Sequence, residues 1–511
     1  MRRLPIGIQT FSEIRTDNYF YVDKTKEAYE VINQYKYVFL SRPRRFGKSL
    51  FLDTLKCIFE GRKELFEGLY IYDKWNWEEK YPVIHLSFSG ELRKDKDLIE
   101  TIMCILSENY ETLGLLKNEN LNYSNYFRKL IIEAHRKYQQ KVVILIDEYD
   151  KPILDNITNI ERAKEARETL KSLYSVIKDL DEYIRFVFLT GVSKFSKTGI
   201  FSGLNQLVDV TLDEKYGNIC GYRQEDVEEL LNEYNANVDL EEVKKWYNGY
   251  YWLKDKLYNP FDILLFISKN YKFSNYWCKS GTPTFLVELL EKKPYYLPDL
   301  ENIRVDELLL ERYDVDKIIF PVLLFQAGYL TIEREELIGN KITYKLRIPN
   351  LEVGSSLMDA LLDLYQKDVT EKSKLQNETI LALERGDLET FRKQLEVLFS
   401  SIPYENYTNN KMNEYEGFYA AVVYTFLYSL AFPVIAEDTT NKDSIDLTVV
   451  LDDKIYIFEF KVKGENPLEQ IKEKKYYEKY LNQGKDIFLT GIVFDTGTKN
   501  ISKIEREKIS I

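Results

Sequence analysis

A chain of 511 residues, 44% hydrophobic and 30% charged, has room for about three domains and enough apolar side chains to bury ordinary cores. Its formal charge of −12 excludes a wholly basic surface, because duplex affinity comes largely from lysines and arginines displacing counterions, and any nucleic-acid contact is therefore local. Four cysteines without a C-x-x-C pair and only two histidines argue against zinc ribbons, disulfide frameworks and histidine-based catalysis, and leave oxygen-held hard cations as the metals to expect.

The absence of a cysteine framework fits a reducing, cytoplasmic interior. The opening residues MRRLPIGIQTF carry no apolar core behind their arginines and do not read as a secretory signal. Forty tyrosines and 28 phenylalanines read as a compositional bias spread over cores and surfaces rather than as a base-stacking platform.

Short β-branched or aromatic runs at 37–41, 82–87, 142–146 and 185–190, separated by amphipathic stretches, predict a parallel sheet with crossover helices over residues 1–215. The first of these runs into RPRRFGKSL, and a helix is expected from Lys48 to Phe59. Strand, loop and helix in that order form the setting of a phosphate loop, in which backbone N–H groups and a helix N-terminus face the anion, a lysine neutralises it and a serine or threonine holds Mg²⁺. Arg42 stands where G-x-x-x-x-G-K-[ST] has its first glycine, and Pro43 removes one donor.

The run VVILIDEYD ends in Asp147 and Glu148, suited to holding Mg²⁺ through water and to polarising an attacking water; the plainer reading is an acidic turn after a core strand. RFVFLTGVSKFSK brings Thr190, Ser193 and Lys194 to a strand end, either as a γ-phosphate sensor or as a capped loop.

Residues 216–400 are mainly helical in pattern, through QEDVEELLNEY, DLEEVKKWYNGYYW and NPFDILLFISKNY. AGYLTI and ITYKLRI flank EREELIGNK and predict a hairpin behind helices, which fits a winged helix or an ordinary α+β linker module. SIPYENYTNNKMNE reads as a linker, after which residues 401–511 return to mixed α/β. The uncharged stretch 417–436 is long enough to span a bilayer, but Pro433 and three tyrosines point to a buried helix followed by a strand.

KDSIDLTVVLDDKIYIFEFKV, residues 442–462, reads as two strands about an Asp452-Asp453-Lys454 turn. Glu459 and Lys461 lie two apart and share a face, with Phe460 on the other, and Asp446 can meet Glu459 across the hairpin. Two carboxylates on one face can hold Mg²⁺ against a phosphodiester while a lysine stabilises charge. An E-x-K on a solvated strand is the ordinary alternative, but IYIFEFKV is too apolar for an open surface. A following helix from Gln470 to Tyr480 carries Lys472, Lys474, Lys475 and Lys479, a local positive face.

YFYVDKT, LSRPRRFGKSLFLDTL, ILIDEYDKP, FLTGVSKFS and LYNPFDIL, in this order, resemble the AAA-ATPase-like family of P-loop proteins that often carry a C-terminal nuclease-type domain. That family's loop reads R-P-R-R-F-G-K-S, so Arg42 is a family feature. The resemblance covers most of the chain and implies ATP held by Arg45, Phe46, Gly47, Lys48 and Ser49, with Asp147 and Ser193 facing the phosphates, Mg²⁺ on Ser49 and Asp147, and Glu148 acting on water. It sets Tyr21 to Thr25 near the base and leaves an arginine finger open among Arg44, Arg45 and Arg223.

The last hundred residues resemble the PD-(D/E)XK nuclease superfamily. Carried over, Asp446 and Glu459 are metal ligands, Lys461 is the catalytic lysine, and Glu416 and Gln470 support them. The implied fold is α/β: a P-loop NTPase parallel sheet, a helical or winged-helix-like middle and a restriction-endonuclease-like end, divided 1–215, 216–400 and 401–511.

The implied activity is ATP hydrolysis coupled to Mg²⁺-dependent cleavage of nucleic acid, DNA favoured over RNA, in a cytoplasmic protein without a membrane segment and with room for a homo-oligomer. The alternative is a nucleotide-dependent switch whose terminal domain binds nucleic acid or a partner without cutting.

Overall fold

A computed structural model describes residues 1–90, 98–117, 121–194, 200–279, 297–310, 319–402, 416–440, 444–462 and 466–509. The chain falls into two compact units, Met1–Tyr276 with Arg304–Arg347, and Trp277–Ile303 with Ile348–Ile511.

The first unit is built on five parallel strands: β1 (Tyr37–Ser41), β2 (Val83–Ser87), β3 (Val142–Asp147), β4 (Ile184–Gly191) and β5 (Val208–Asp209), in the order β2-β3-β4-β1-β5. Every residue of β1 and β3 is buried, which is why these strands read as unbroken apolar runs rather than alternating ones. β4 pairs with both β1 and β3, so the loop after β1 and the acidic end of β3 lie at the same sheet edge, two strand spacings or roughly 10 Å apart. That C-terminal edge is where open α/β sheets form ligand sites. β5, only two residues long, has no pattern a sequence could show.

The helix Lys48–Phe59 has the expected bounds. Its N-cap, Gly47, has φ 92°, a left-handed turn that glycine makes without steric penalty, and Phe51, Leu52, Leu55, Ile58 and Phe59 form its buried stripe. The helix Ile160–Asp179 starts on Asn159, whose side chain accepts from the Arg162 N–H, and buries Ala163, Ala166, Leu170, Leu173 and Ile177 at helical spacing.

Further helices, Gln224–Glu233, Leu240–Tyr247 and Pro260–Ser268, share a core containing Phe20, Tyr222, Leu230, Tyr247 and Phe266, beside the short pair β6 (Asn248–Tyr251) and β7 (Lys256–Tyr258). β8 (Arg304–Asp306), β9 (Thr331–Ile338) and β10 (Lys341–Arg347) complete this unit in the order β8-β10-β9. The hairpin lies where the sequence places it, but EREELI belongs to β9 and only Gly339-Asn340 make the turn. Ion pairs from Lys345 to Glu333 and from Arg304 to Glu336 let a charged, half-exposed segment pair as a strand. Tyr251 N–H donates to Thr331 Oγ1 at 2.8 Å and fastens β9 to β6.

The second unit holds the helices Leu351–Leu362, Val369–Arg385, Leu388–Ser401 and Glu416–Ser429 and a mixed sheet of β11 (Val434–Thr439), β12 (Ser444–Val450), β13 (Lys454–Val462), β14 (Asp486–Asp495) and β15 (Asn500–Ile509). The strands lie in chain order; β13 and β14 are parallel and the other pairs antiparallel.

Glu416–Ser429 is buried along most of its length and gives way to β11 just after Pro433. Among the described residues no helix is long and apolar enough to cross a membrane. The single helix expected over Gln470–Tyr480 is interrupted: Pro467–Lys474 ends at Lys475, which has φ 52°, and a 3-10 segment Tyr476–Gln483 follows. Residues 403–414 of the expected linker, 195–197 of FSK, Lys442 and Asp443, and the side chain of Cys278 lie outside the described residues.

Candidate phosphate-directed sites

In the first unit, Arg42 leaves β1 pointing inward and is 1% exposed. Its guanidinium donates to the carbonyls of Ser41 at 2.8 Å, Thr211 at 3.0 Å, and Tyr216 and Gly217 at 3.3 Å, and it lies 4.4 Å from the centre of the Trp252 ring. Burial pulls its pKa down to about 10, which leaves it charged at neutrality. Arg42 is thus a strut that ties the loop to the segment after β5, a task no glycine can perform.

Phe46 is the second anchor. Its ring sits edge-on to Tyr250 and Trp252 at 4.8 and 5.1 Å, and its carbonyl accepts from Gly221 N–H at 3.2 Å. On either side of Phe46, Arg45 and Gly47 have φ 67° and 92°, turning the loop tightly before the helix. The Arg45 guanidinium rests 4.8 Å from the Phe261 ring, and Asn259 Nδ2 donates to the Arg44 carbonyl at 3.4 Å, so LYNPFDIL packs on the loop. Ser49 occupies the first turn of the helix.

Lys48 Nζ donates to the carbonyls of Arg42 and Pro43, both at 2.9 Å. Burial lowers its pKa against the opposing charges of Asp147 and Glu148. Asp147 is buried and accepts from Thr190 Oγ1 and, at 3.1 Å, from Glu148 N–H. Glu148 takes a left-handed φ of 53°, and its Oε2 is buried with no hydrogen-bond partner among the described residues. Burial raises the Glu148 pKa, and Lys48 works against that rise.

Ser193 is also buried, but its hydroxyl and N–H both donate to Asp150 at 2.6 Å, and Val192 N–H adds 3.1 Å to the same carboxylate. Sequence reasoning missed Asp150, 1% exposed, and Gly191, where a Cβ would stand 2.6 Å from Asp150 Oδ1 and 2.5 Å from the Tyr149 ring. Lys194 Nζ pairs with Asp209 at 2.5 Å.

In Tyr21 to Thr25, Asp23 accepts from Thr25 N–H and Tyr70 N–H at 2.8 Å, and Lys24 Nζ donates to the Asn218 carbonyl at 3.0 Å. Arg223 pairs with Asp226 and Glu225 at 3.1 and 3.3 Å. Lys48, Asp147 and Glu148 are thus brought to one sheet edge, while Ser193 and Arg223 are engaged by other partners.

In the second unit, β12 pairs with β13 through Leu447 and Phe458, and one further step along that register sets Asp446 opposite Glu459. Asp446 Oδ2 accepts from Phe460 N–H at 2.8 Å. Glu459 is 1% exposed; its Oε1 accepts from Gln470 Nε2 and, at 3.4 Å, from Lys461 Nζ, and its Oε2 is buried without a partner among the described residues. Lys461 Nζ also reaches Glu416 Oε1 at 3.2 Å. Glu416, Asp446, Glu459, Lys461 and Gln470 therefore lie together in one cluster.

Burial, chiefly, pushes both Asp446 and Glu459 well above the usual carboxylate range; Asp446 and Glu416 add to the rise of Glu459, and Glu416 and Glu437 add to that of Asp446. Burial lowers the Lys461 pKa, but Glu459, Glu416 and Asp446 more than offset it and the net shift is upward. Among the described residues no three His, Cys, Asp or Glu side chains close on a common point fit for a metal. Two carboxylates with one oxygen unpartnered fit Mg²⁺, which keeps several of its waters.

Gly491 and Asp438 also went unread in the sequence. Gly491 pairs with Glu459 across β13 and β14, and a Cβ there would lie 2.7 Å from Leu468 N. Asp438 on β11 is buried and accepts from Thr448 Oγ1 at 3.1 Å, from Tyr480 OH and from Lys479 Nζ, pinning the 3-10 segment to the sheet. Lys472, Lys475 and Lys479 face Glu507, Glu478 and Asp438, so three of the four lysines expected to form a positive face are already paired with carboxylates.

Residues 5–201 match the family model described as AAA-ATPase-like, a predicted AAA-ATPase, and residues 414–504 match that of the PD-(D/E)XK nuclease superfamily. The chain is similar to an uncharacterized protein in the vnfD 5′ region of Azotobacter chroococcum mcd 1, at 44% identity over 506 residues and 98% of each chain. With a parallel sheet that brings Lys48 and Asp147 to one edge and a second sheet that gathers Asp446, Glu459 and Lys461, the chain belongs to the AAA-ATPase-like family that carries a C-terminal PD-(D/E)XK nuclease superfamily domain.

Proposed function

We propose that this protein binds and hydrolyses ATP at the Lys48 loop and cleaves phosphodiester bonds of nucleic acid at the Asp446, Glu459 and Lys461 cluster, with residues 216–400 linking a nucleotide domain at 1–215 to a nuclease domain at 401–511. The observation that carries the reading is the buried Oε2 of Glu459, without a hydrogen-bond partner among the described residues, beside Asp446 and Lys461. An orphaned buried acceptor costs about 1–3 kcal/mol, which a bound cation relieves. Glu148 Oε2 repeats the feature in the other unit.

At the first site Lys48 exchanges the carbonyls of Arg42 and Pro43 for phosphate oxygens, Ser49 and Asp147 would hold Mg²⁺, and Glu148 orients the attacking water. At the second, Asp446 and Glu459 would hold Mg²⁺, which when bound supplies Lewis acidity toward the phosphodiester. Lys461 faces the charge that develops on the phosphoryl oxygens, Glu416 fixes the lysine, and Gln470 fixes Glu459. DNA is the favoured substrate, and the buried free thiols of Cys57 and Cys220 accord with a reducing, cytoplasmic setting.

A second reading, a nucleotide-dependent switch whose terminal domain binds without cutting, draws on the pairing of Lys472, Lys475 and Lys479, which leaves less free positive charge for a polyanion. Cleavage of single- and double-stranded DNA and RNA, with and without ATP and Mg²⁺, separates the two. Lys461→Ala should abolish Mg²⁺-dependent cleavage while leaving ATP binding intact. Equal degradation by wild type and Lys461→Ala would remove the nuclease assignment.

A further inference from the structure

Asp150 is a carboxylate, 1% exposed, that holds neither nucleotide nor metal in either phosphate-directed site. It is committed to the residues that end and follow β4. Its Oδ2 accepts from Val192 N–H at 3.1 Å and from both the N–H and the hydroxyl of Ser193 at 2.6 Å. Hydrogen bonds to an ionised acceptor are roughly twice as strong as neutral ones, so these three form a firm clamp.

The neighbours of Asp150 extend it. Asp147 accepts from Thr190 Oγ1, Tyr149 N–H donates to the Thr190 carbonyl at 3.0 Å, and Tyr149 OH donates to the Ser193 carbonyl at 3.0 Å. Gly191 makes the approach possible, since a Cβ there would stand 2.5 Å from the Tyr149 ring and 2.6 Å from Asp150 Oδ1. On the other flank, Arg42 N–H donates to the Gly191 carbonyl at 3.2 Å and Ser41 Oγ to the Val192 carbonyl at 2.5 Å. Residues 190–193 thus hold the start of the phosphate loop on one side and the turn after β3 on the other.

Glu148 sits in the middle of that turn. Asp147, Tyr149 and Asp150 all bond to residues 190–193, whereas Glu148 takes a left-handed φ of 53° and makes no such bond among the described residues. A non-glycine residue stays in that region only where its surroundings impose it. Here the imposing bonds lie on both sides, through Asp147 before Glu148 and through Tyr149 and Asp150 after it. An ordinary φ at 148 would swing its Cα–Cβ bond, and the carboxylate with it, in another direction.

We propose that Asp150 is the positioning residue for Glu148: by clamping Val192 and Ser193 it keeps the turn after β3 left-handed and so fixes the carboxylate that orients the attacking water. The inference rests on the proposed ATP hydrolysis and adds to it a residue that touches neither nucleotide nor metal. Because Gly191 and Val192 also anchor Arg42 and Ser41, the clamp ties the water-orienting group and the phosphate loop to one frame.

Two measurements on the full chain test this. In steady-state phosphate release, Asp150→Ala should lower kcat about 10²-fold, the scale of a misplaced reacting group, with KM little changed. Asp150→Asn, which keeps an oxygen able to accept the short bonds, should stay within roughly tenfold of wild type. Added to Glu148→Gln, Asp150→Ala should cost less than about threefold more, because residues acting as a unit are not additive. An equal loss in both backgrounds would mean a merely structural role and overturn the proposal. The second measurement needs no nucleotide. With Asp150 in place, Glu148→Gly should unfold a few degrees above Glu148→Ala, since glycine takes a left-handed φ freely, and in the Asp150→Ala background that order should vanish or reverse. If Asp150→Ala does not fold, Gly191→Ala, whose Cβ drives Tyr149 and Asp150 from the end of β4, replaces it in both measurements. A glycine advantage at 148 that is absent with Asp150, or that survives the loss of the clamp, would overturn the inference with the proposed function intact. Absence of ATP turnover in wild type would overturn the proposed function, and the catalytic role given to Asp150 with it.

Discussion

Gly491 on β14 stands opposite Glu459 on β13, and the start of the helix Pro467–Lys474 packs so close over this glycine that there is no room for a Cβ. The approach lets Gln470, one turn into that helix, donate to Glu459 Oε1. A Cβ at 491 would meet Leu468 N at 2.7 Å and the Pro467 ring at 2.9 Å, contacts that backbone cannot yield without shifting the helix. Gly491→Ala should therefore act on Glu459 at a distance. Cleavage should fall about tenfold or more with a stability loss of about 1–3 kcal/mol, the usual range for overpacking. Gln470→Ala should reproduce the loss of cleavage with less loss of stability. Single-turnover cleavage rates and urea unfolding of the two variants check this; full activity in Gly491→Ala would show that the close approach does not govern the cluster.

The cluster also sets a pH dependence. A carboxyl whose folded-state pKa is raised is protonated more readily folded than unfolded, so its contribution to stability is present at low pH and declines as pH rises from the ordinary glutamate value of about 4.3 through the raised one. Burial raises both Asp446 and Glu459, so the metal-free protein should lose stability over that window. Glu459→Gln should flatten the decline, and Mg²⁺ should reverse it increasingly as pH rises, because protons and the cation compete for the same oxygens. Thermal unfolding between pH 5 and pH 9, with and without Mg²⁺ (pH values spanning roughly the range set by these shifts), reads both effects.

What the sequence could disclose was whatever one stretch of chain decides by itself. The helix Lys48–Phe59 has the bounds its sequence predicts because its start is a glycine in a left-handed turn and its apolar stripe is unbroken. Asp446, Glu459 and Lys461 were legible because strand alternation and a tight turn fix their faces. Asp150 and Gly491 were not, because their neighbours lie 43 residues away at Ser193 and, for Gly491, at Leu468 on the helix that packs over the sheet. The same reason hid the role of Arg42, whose acceptors are carbonyls of Thr211, Tyr216 and Gly217. Lys475 misled differently: a continuous helical pattern runs through it, yet the backbone turns left-handed there and the 3-10 segment is held by Asp438 instead.

Arg42→Gly restores the formal phosphate-loop pattern and should nonetheless damage the protein. It takes the Arg42 donors from the buried carbonyls of Thr211, Tyr216 and Gly217, of which only Tyr216 keeps another, the Ile219 N–H, among the described residues, and it vacates the face of Trp252. Each buried carbonyl left unsatisfied costs about 1–3 kcal/mol. The expected result is a lowered unfolding midpoint with no gain in ATP affinity, measured by thermal denaturation and by titration with a fluorescent ATP analogue. Unchanged stability would mean that the strut is dispensable.

Glu148→Gln separates binding from hydrolysis in the first unit. The amide is nearly isosteric, so Lys48, Asp147 and the Asp147–Thr190 contact should stay in place and ATP should bind with affinity within a few-fold of wild type. The substitution removes the carboxylate whose Oε2 is buried and has no hydrogen-bond partner among the described residues, the group to which the proposed function gives the attacking water. Loss of one positioned acid–base group costs about 10²–10⁴-fold in rate, so ATP turnover should fall by about that factor with KM little changed. The Glu148 pKa is already raised by burial against the pull of Lys48, so wild-type turnover should climb as pH rises through that shifted value and the climb should vanish in Glu148→Gln. Steady-state phosphate release across pH measures both, and a variant that retained the wild-type rate would assign the water-activating role to a different residue.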